Sequence, residues 1–411
     1  VINSALAAAG PITPAQLLDR VKEALPAIDR ARQKGRDLES FSSVDAVVRD
    51  LEPSEPVFCI HPNKLRTAAR RFRTFPGRVL YAVKCNPHPA VLQTLFDDGI
   101  TDFDVASLDE IKLIHNMFGG RAGQYFNNPA KTRPAIRQAS KDHQIRFYTV
   151  DCDAEVDKIL DEAERDSDLI IAVRLATQPT DARYALSTKF GAAPVDAVRM
   201  LQKVEAAGVR AGISFHVGSQ CLSPSAFENA INLVGSVSRK ARVPLHVLNV
   251  GGGFPAPYPG DNPKAIEHYF SRIVLGRRKL DLPSGCILLC EPGRSLVATA
   301  GTAVLQVVVR RHDSVFLNDG VFGTLQELGH PKERRPTRVI RKSGSPSSRL
   351  VPFKVYGPTC DSNDVLGAPF HLPEDVREGD WIEVGMMGAY SLSMRTRFNG
   401  FHTDRIVAVT G

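Results

Sequence analysis

The chain has 411 residues, 43% of them hydrophobic and 24% charged. That length exceeds one small domain and suits two, and it buries a core without disulfide or metal staples. Its formal charge of +7 comes from 52 basic and 45 acidic residues, but these are scattered. The densest basic cluster, Arg66, Arg70, Arg71 and Arg73, reads as a solvated helix face rather than a nucleic-acid surface.

Residues 1–57 are helix-prone and lead into the first domain. The stretch from Val1 to Gly10 is apolar but short and lacks a basic flank, so no signal peptide is expected. No apolar run approaches the roughly 18 residues that span a bilayer, so no membrane association is expected either. The seven cysteines (Cys59, Cys85, Cys152, Cys221, Cys286, Cys290 and Cys360) are odd in number and form no CxxC pair. They predict a reduced, cytoplasmic protein without a metal centre.

From residue 78 a rhythm sets in. Apolar runs occur at 78–84 (RVLYAVK), 102–107 (DFDVAS), 124–128 (QYFNN), 145–151 (IRFYTVD), 169–175 (LIIAVRL), 212–219 (GISFHVGS), 245–253 (LHVLNVGGG) and 286–294 (CILLCEPGR). Helix-like stretches with apolar positions at helical spacing, such as 193–207, separate them. Eight buried strands alternating with helices predict an α/β fold, a (β/α)8 barrel over 58–299. A doubly wound open sheet is the competing arrangement. After residue 300 the texture changes. Short β-branched runs at 302–309, 314–317, 352–356, 381–384 and 405–409 predict an all-β domain over 300–411. The polar stretch 332–348 (KERRPTRVIRKSGSPSS) predicts a mobile loop.

Barrel chemistry gathers at the C-terminal strand ends. The first run ends in Lys84, whose amine can form a Schiff base once deprotonated. The sixth carries His216. The seventh ends in Gly251-Gly252-Gly253, where backbone N–H groups can approach a phosphate. The eighth ends in Glu291-Pro292-Gly293-Arg294, an acid able to pair with a pyridine nitrogen beside an arginine for phosphate. Each alone has a bland reading: a snorkelling lysine, a core histidine, a flexible turn, a surface ion pair. Together, at four strand ends, they supply most of what pyridoxal phosphate (PLP) needs.

The chain resembles the fold-type III PLP decarboxylases, the ornithine decarboxylase group with the alanine racemase-like fold. The matching pieces are Tyr81-Ala82-Val83-Lys84-Cys85-Asn86, Phe103-Asp104-Val105-Ala106-Ser107, His216-Val217-Gly218-Ser219, Gly251-Gly252-Gly253-Phe254-Pro255, Glu291-Pro292-Gly293-Arg294, Asn318-Asp319-Gly320, Gly357-Pro358-Thr359-Cys360-Asp361, Met387-Gly388-Ala389-Tyr390 and Phe398-Asn399-Gly400-Phe401. They occur in family order over roughly residues 55–405.

The resemblance implies roles. Lys84 would hold PLP covalently, with Asp104 near it and Arg174 near the ring. His216 would stack on the ring, and Glu291 would pair with its nitrogen. Ser219, Gly252, Gly253, Gly293, Arg294 and Tyr390 would receive the phosphate. Cys360 and Asp361 would reach in from the second subunit of a homodimer. There Cys360 would assist loss of the carboxylate and protonate the product, while Asp361 would hold the distal ammonium of a small amino-acid substrate. Tyr390 and Phe398 would also face the substrate. The expected reaction is decarboxylation of L-ornithine to putrescine and CO2. Lysine or dual ornithine/lysine decarboxylation is the nearest alternative, ahead of diaminopimelate decarboxylation or a non-catalytic regulatory role. One departure matters. The family carries an aspartate for the distal amine after its Asn-Asp-Gly motif, and residues 321–330 here lack it. Glu327 is the expected substitute.

Overall fold

The computed structural model describes residues 38–177, 181–184, 186 and 188–411; the beginning of the helix-prone N-terminal stretch, residues 1–37, lies outside them. The eight runs become β3 (Arg78–Ala82), β4 (Asp102–Val105), β5 (Gly123–Phe126), β6 (Phe147–Val150), β7 (Ile170–Leu175), β8 (Arg210–Phe215), β9 (Leu245–Asn249) and β10 (Ile287–Cys290). They close into a barrel in chain order, with β10 pairing back onto β3. Every ladder in it is parallel. Such strands are covered on both faces, which is why they read as continuous apolar runs. Leu80, Phe147, Ala172, Val247 and Leu289, from five strands and no helix, form a separate cluster that fills the barrel interior.

Helices sheathe the outside. One of them, Pro194–Ala206, starts with proline at its first turn and buries Ala197, Met200, Leu201 and Val204 at i, i+3, i+4 and i+7. Another, Leu108–Phe118, is capped by Ser107, whose hydroxyl accepts from Glu110 N at 3.2 Å. The serine of the Asp-Val-Ala-Ser motif thus ends its strand by starting a helix. Arg66, Arg70 and Arg71 lie on the solvated face of helix Pro62–Phe72, with Arg66 and Arg70 each 3.5 Å from Asp98.

The second unit is a nine-stranded sheet. Its path runs β1 (Ser40–Phe41), β17 (Ile406–Val409), β2 (Val57–Ile60), β11 (Gly301–Arg311), β12 (Ser314–Leu317), β14 (Leu350–Tyr356) and β15 (Phe370–Pro373). β16 (Trp381–Val384) pairs with β11 and with β13 (Thr337–Ile340).

Two expectations are corrected here. Residues 58–60, assigned to the barrel, belong to this sheet, where Phe58 pairs with Ala303 and Ile406. A four-residue buried run (VFCI) reads the same in either sheet, and only its distant partners decide. Residues 332–348 contain the ordered strand β13. Arg338 within it pairs with Asp45 and Glu383, and Arg341 just beyond it forks onto Asp380 and Asp375. Charged partners far along the chain make a strand of what local composition reads as loop.

Candidate active site

The barrel's strand ends converge on a cavity of about 290 Å³. Lys84 reaches it from the short 3-10 turn after β3, Asp104 from β4, and Arg174 from β7. His216, Gly253 and Glu291 come from just beyond β8, β9 and β10, and Ser219, Gly293, Arg294 and Tyr390 complete the predicted lining. A larger cleft, about 490 Å³, lies on the barrel's outer side against Lys64, Phe72 and Tyr269 and contains none of the predicted site residues.

Lys84 Nζ donates to Asp104 Oδ2 at 2.6 Å. Its side chain is 48% exposed because it faces the cavity, while that of Asp104 is 1% exposed. Burial alone would lower the lysine's pKa. Asp104, then Tyr390 and Glu291, outweigh burial and hold the ammonium above its ordinary range. Asp104 Oδ1 is buried without a hydrogen-bond partner, so this carboxylate has capacity for one more donor.

Glu291 faces the same space. Asn249 Nδ2 donates to its Oε1 at 2.6 Å. Burial, then repulsion from Asp104, push its pKa up to about 7 against the pull of Lys84, Asn249 and Arg174. His216 is pressed the other way. Burial, then Arg174 and Lys84, keep its pKa well below the usual histidine range, so the ring is neutral. Its Nδ1 accepts from Gly218 N at 3.0 Å, which assigns the ring proton to Nε2.

The glycine loop lies between these groups. A Cβ on Gly252 would fall 2.6 Å from Glu291 O and 3.0 Å from His216 Nε2. Gly253 has φ +107°, and a Cβ there would meet Gly218 O at 2.4 Å. A neutral flat imidazole, a carboxylate raised by burial, a lysine amine and a cradle with no room for side chains fit an aromatic aldehyde phosphate. The residues present therefore suit PLP.

Arg294 closes the cavity. Its Nε donates to Ser219 Oγ at 3.2 Å and its Nη1 to Tyr258 OH at 3.0 Å, with the Tyr390 ring 4.9 Å away. Tyr390 sits at φ +63° with its N–H bound to Cys85 O at 2.8 Å, which ties the β domain to the lysine turn.

Glu327 does not line the cavity. Its side chain is 10% exposed and receives both Nη atoms of Arg294, at 2.9 and 2.7 Å, and Arg335 Nη2 at 3.1 Å. Two guanidiniums thus occupy three of the roughly four lone-pair sites of this carboxylate, and its charge is already matched within the chain. Cys360, Asp361 and Phe398 do not line this cavity either. Cys360 and Phe398 lie exposed on the β unit, with Cys360 Sγ 3.2 Å from Asn399 Oδ1. Sequence reasoning missed Asn249, although a polar residue ending an apolar run beside the glycines was a usable signal. It also missed Asn127 and Asn128, the polar end of the third apolar run, and Lys189 and Phe190, which line the cavity from a loop without periodic pattern.

The class defined by this fold and cavity is a barrel enzyme built around a strand-end lysine, followed by a β domain. Residues 62–298 match the family model described as the pyridoxal-binding domain of pyridoxal-dependent decarboxylases. Decarboxylase flvG of Aspergillus flavus is 31% identical over 346 residues, 79% of this chain and 78% of its own length. The lysine/ornithine decarboxylase of Selenomonas ruminantium is 32% identical over 334 residues, 79% of this chain and 81% of its own. The solved structure of lysine/ornithine decarboxylase complexed with cadaverine, from Vibrio vulnificus, superposes with a TM-score of 0.77 at 28% identity, covering 90% of this chain and 100% of that one. The chain belongs to the fold-type III PLP-dependent decarboxylases, in the ornithine decarboxylase group. It is a PLP-dependent carboxy-lyase.

Proposed function

We propose that this enzyme decarboxylates a basic amino acid, L-ornithine foremost, to give putrescine and CO2. The observation that carries the reading is one cavity holding Lys84 on Asp104, a neutral His216, and Glu291 on Asn249. PLP, when bound, supplies an electron sink for the pair left at Cα as CO2 departs. Lys84 is the residue for covalent attachment, and Asp104, at 2.6 Å, is within reach of its proton. Glu291 would keep the ring nitrogen charged, and His216 and Arg174 would hold the ring. Ser219, Gly252, Gly253, Gly293, Arg294 and Tyr390 receive the phosphate.

Within the cavity Asp104 holds Lys84 and Glu291 holds Asn249. We assign the substrate's distal ammonium, as the family resemblance implies, to Asp361 of the partner subunit in a homodimer. Cys360 crosses with it as proton donor to Cα. Support comes from the surface beside Cys360, whose Sγ meets Asn399 Oδ1 at 3.2 Å and where the neighbouring Phe398 and Phe401 are each 41% exposed. Large apolar side chains gathered beside a reactive residue need a cover. Seven cysteines, odd in number and without a CxxC pair, support a reducing, cytoplasmic setting.

Lysine, or both diamino acids, is the second reading, because one methylene in a pocket is worth only about 1–3 kcal/mol. Similarity to lysine/ornithine decarboxylases favours keeping it. The test is kcat/KM for ornithine, lysine, arginine and diaminopimelate. Ornithine should lead, and Asp361→Ala should lower kcat/KM for the leading diamino acid by more than it lowers PLP affinity. A best substrate without distal positive charge would overturn the reading.

A further inference from the structure

Behind the phosphate cradle, six charged side chains alternate in sign: Arg294, Glu327, Arg335, Glu333, Arg183 and Asp261. Their side chains are at most 12% exposed. Three positive and three negative groups leave the chain of contacts neutral, the condition under which buried charge is tolerable. Arg183 and Asp261 come from barrel loops and Arg294 opens the short helix Arg294–Val297, while Glu327, Glu333 and Arg335 come from one short stretch of the β domain. Glu327 lies within residues 321–330, where the sequence departs from the family pattern.

The contacts are directional. Arg294 has five N–H groups. Among the described residues, Nε engages Ser219, Nη1 engages Tyr258 and Glu327, and Nη2 engages Glu327. One Nη2 hydrogen is left, so Glu327 determines which edge of the guanidinium an anion in the cradle can meet. Glu327 is in turn held by Arg335, which stacks 3.8 Å over Tyr258 and binds Glu333. Glu333 accepts from Arg183 Nη1 at 2.7 Å and from Tyr184 OH at 2.8 Å. Burial would raise the pKa of Glu333, but Arg335, Arg183 and Tyr184 outweigh it and hold it at about 2. The Tyr184 ring lies 5.4 Å from the Arg294 guanidinium.

We propose that Glu327, Arg335 and Glu333 are positioning residues that fix Arg294 for the cofactor phosphate, so that this stretch of the β domain sets cofactor affinity rather than holding the substrate. The inference rests on Arg294 being a phosphate ligand. It replaces a substrate role for the departing segment with a cofactor role.

The test compares PLP with pyridoxal, which has the ring and aldehyde but no phosphate. Dissociation constants are measured by absorbance titration of the cofactor-free protein. Glu327→Gln should weaken PLP at least about tenfold while leaving pyridoxal within about twofold. Because one unpaired buried charge can unfold the site, the double variant Glu327→Gln/Arg335→Met is measured beside it. It removes one charge of each sign and should show the same selective loss. Equal weakening of PLP and pyridoxal, or PLP affinity unchanged in a folded variant, would overturn the proposal. Arg294→Met separates the two layers. It should itself lose PLP selectively, and if it does not, the reading of the cradle fails and the relay with it. If Arg294→Met loses PLP and the Glu327 variants do not, only the relay fails.

Discussion

Two carboxylates share the cavity, and their surroundings divide the work between them. Asp104 is committed to Lys84 at 2.6 Å. Glu291 has only an amide donor at 2.6 Å and no lysine contact, so burial dominates and its pKa rises from 4.5 to about 7. In the cofactor-free protein this has a definite sign. Between pH 4.5 and 7 the folded state binds more protons at Glu291 than the unfolded state, so its stabilising contribution is present below 4.5 and is lost as pH rises through 7. Cofactor-free Glu291→Gln should therefore lose less thermal stability than the parent across that window, measured as Tm against pH. Parallel curves would show that burial of Glu291 is not felt. A positive ring nitrogen reverses the penalty by giving the carboxylate a partner. Glu291→Gln should still bind PLP yet turn over at least about tenfold slower, roughly 1.4 kcal/mol of transition-state stabilisation. An unchanged kcat would remove Glu291 from this role.

The elements that carry the site are strand ends and one glycine loop, and these are the parts most legible in the sequence. Barrel strands buried on both faces give apolar runs that stop where the polar mouth begins, so Lys84, His216 and Glu291 stand out as run-ending residues. The β domain was less legible. β13 and β15 escaped because one is built on arginine pairs and the other, Phe370–Pro373, is short and ends in proline. The surroundings of Glu327 were illegible for the same physical reason. Its captors Arg294 and Arg335 are brought together by the fold, and nothing local to residue 327 announces them. The glycine loop yields an element-scale prediction. A methyl on Gly252 would sit 2.6 Å from the backbone carbonyl of Glu291, a residue whose own N–H is tied to Gly251 O at 2.8 Å. Gly252→Ala should move His216 or the loop, weaken PLP by at least about tenfold and lower Tm, since forcing atoms into a packed site costs about 1–3 kcal/mol. Absorbance titration with PLP checks it, and wild-type affinity would mean that the loop does not form the cradle.

At the scale of the whole molecule, the chemistry is divided between two units that touch at the lysine. Asn86 Nδ2 donates to Gly388 O at 2.9 Å, and Tyr390 N donates to Cys85 O at 2.8 Å. These bonds bring Tyr390 into the chain's own cavity, yet the same β unit leaves Cys360 exposed and outside that cavity. One chain therefore carries the lysine at one place and the thiol at another, and on the proposed reading a two-fold dimer would reunite them twice. Mixing subunits tests this without further structural work. Homodimers of Lys84→Ala and of Cys360→Ala should each be nearly inactive. After random exchange at equal concentration, half the dimers are hybrids. If each site takes its lysine from one chain and its thiol from the other, a hybrid has one site with both lesions and one with neither. Activity should then return to about a quarter of that of the parent enzyme, by the two-fold symmetry. If each site were built within one chain, every hybrid site would carry one lesion and mixing would restore nothing. Subunit exchange is confirmed with two affinity tags, so a failure to regain activity in tagged hybrids would show that Cys360 does not act across the interface.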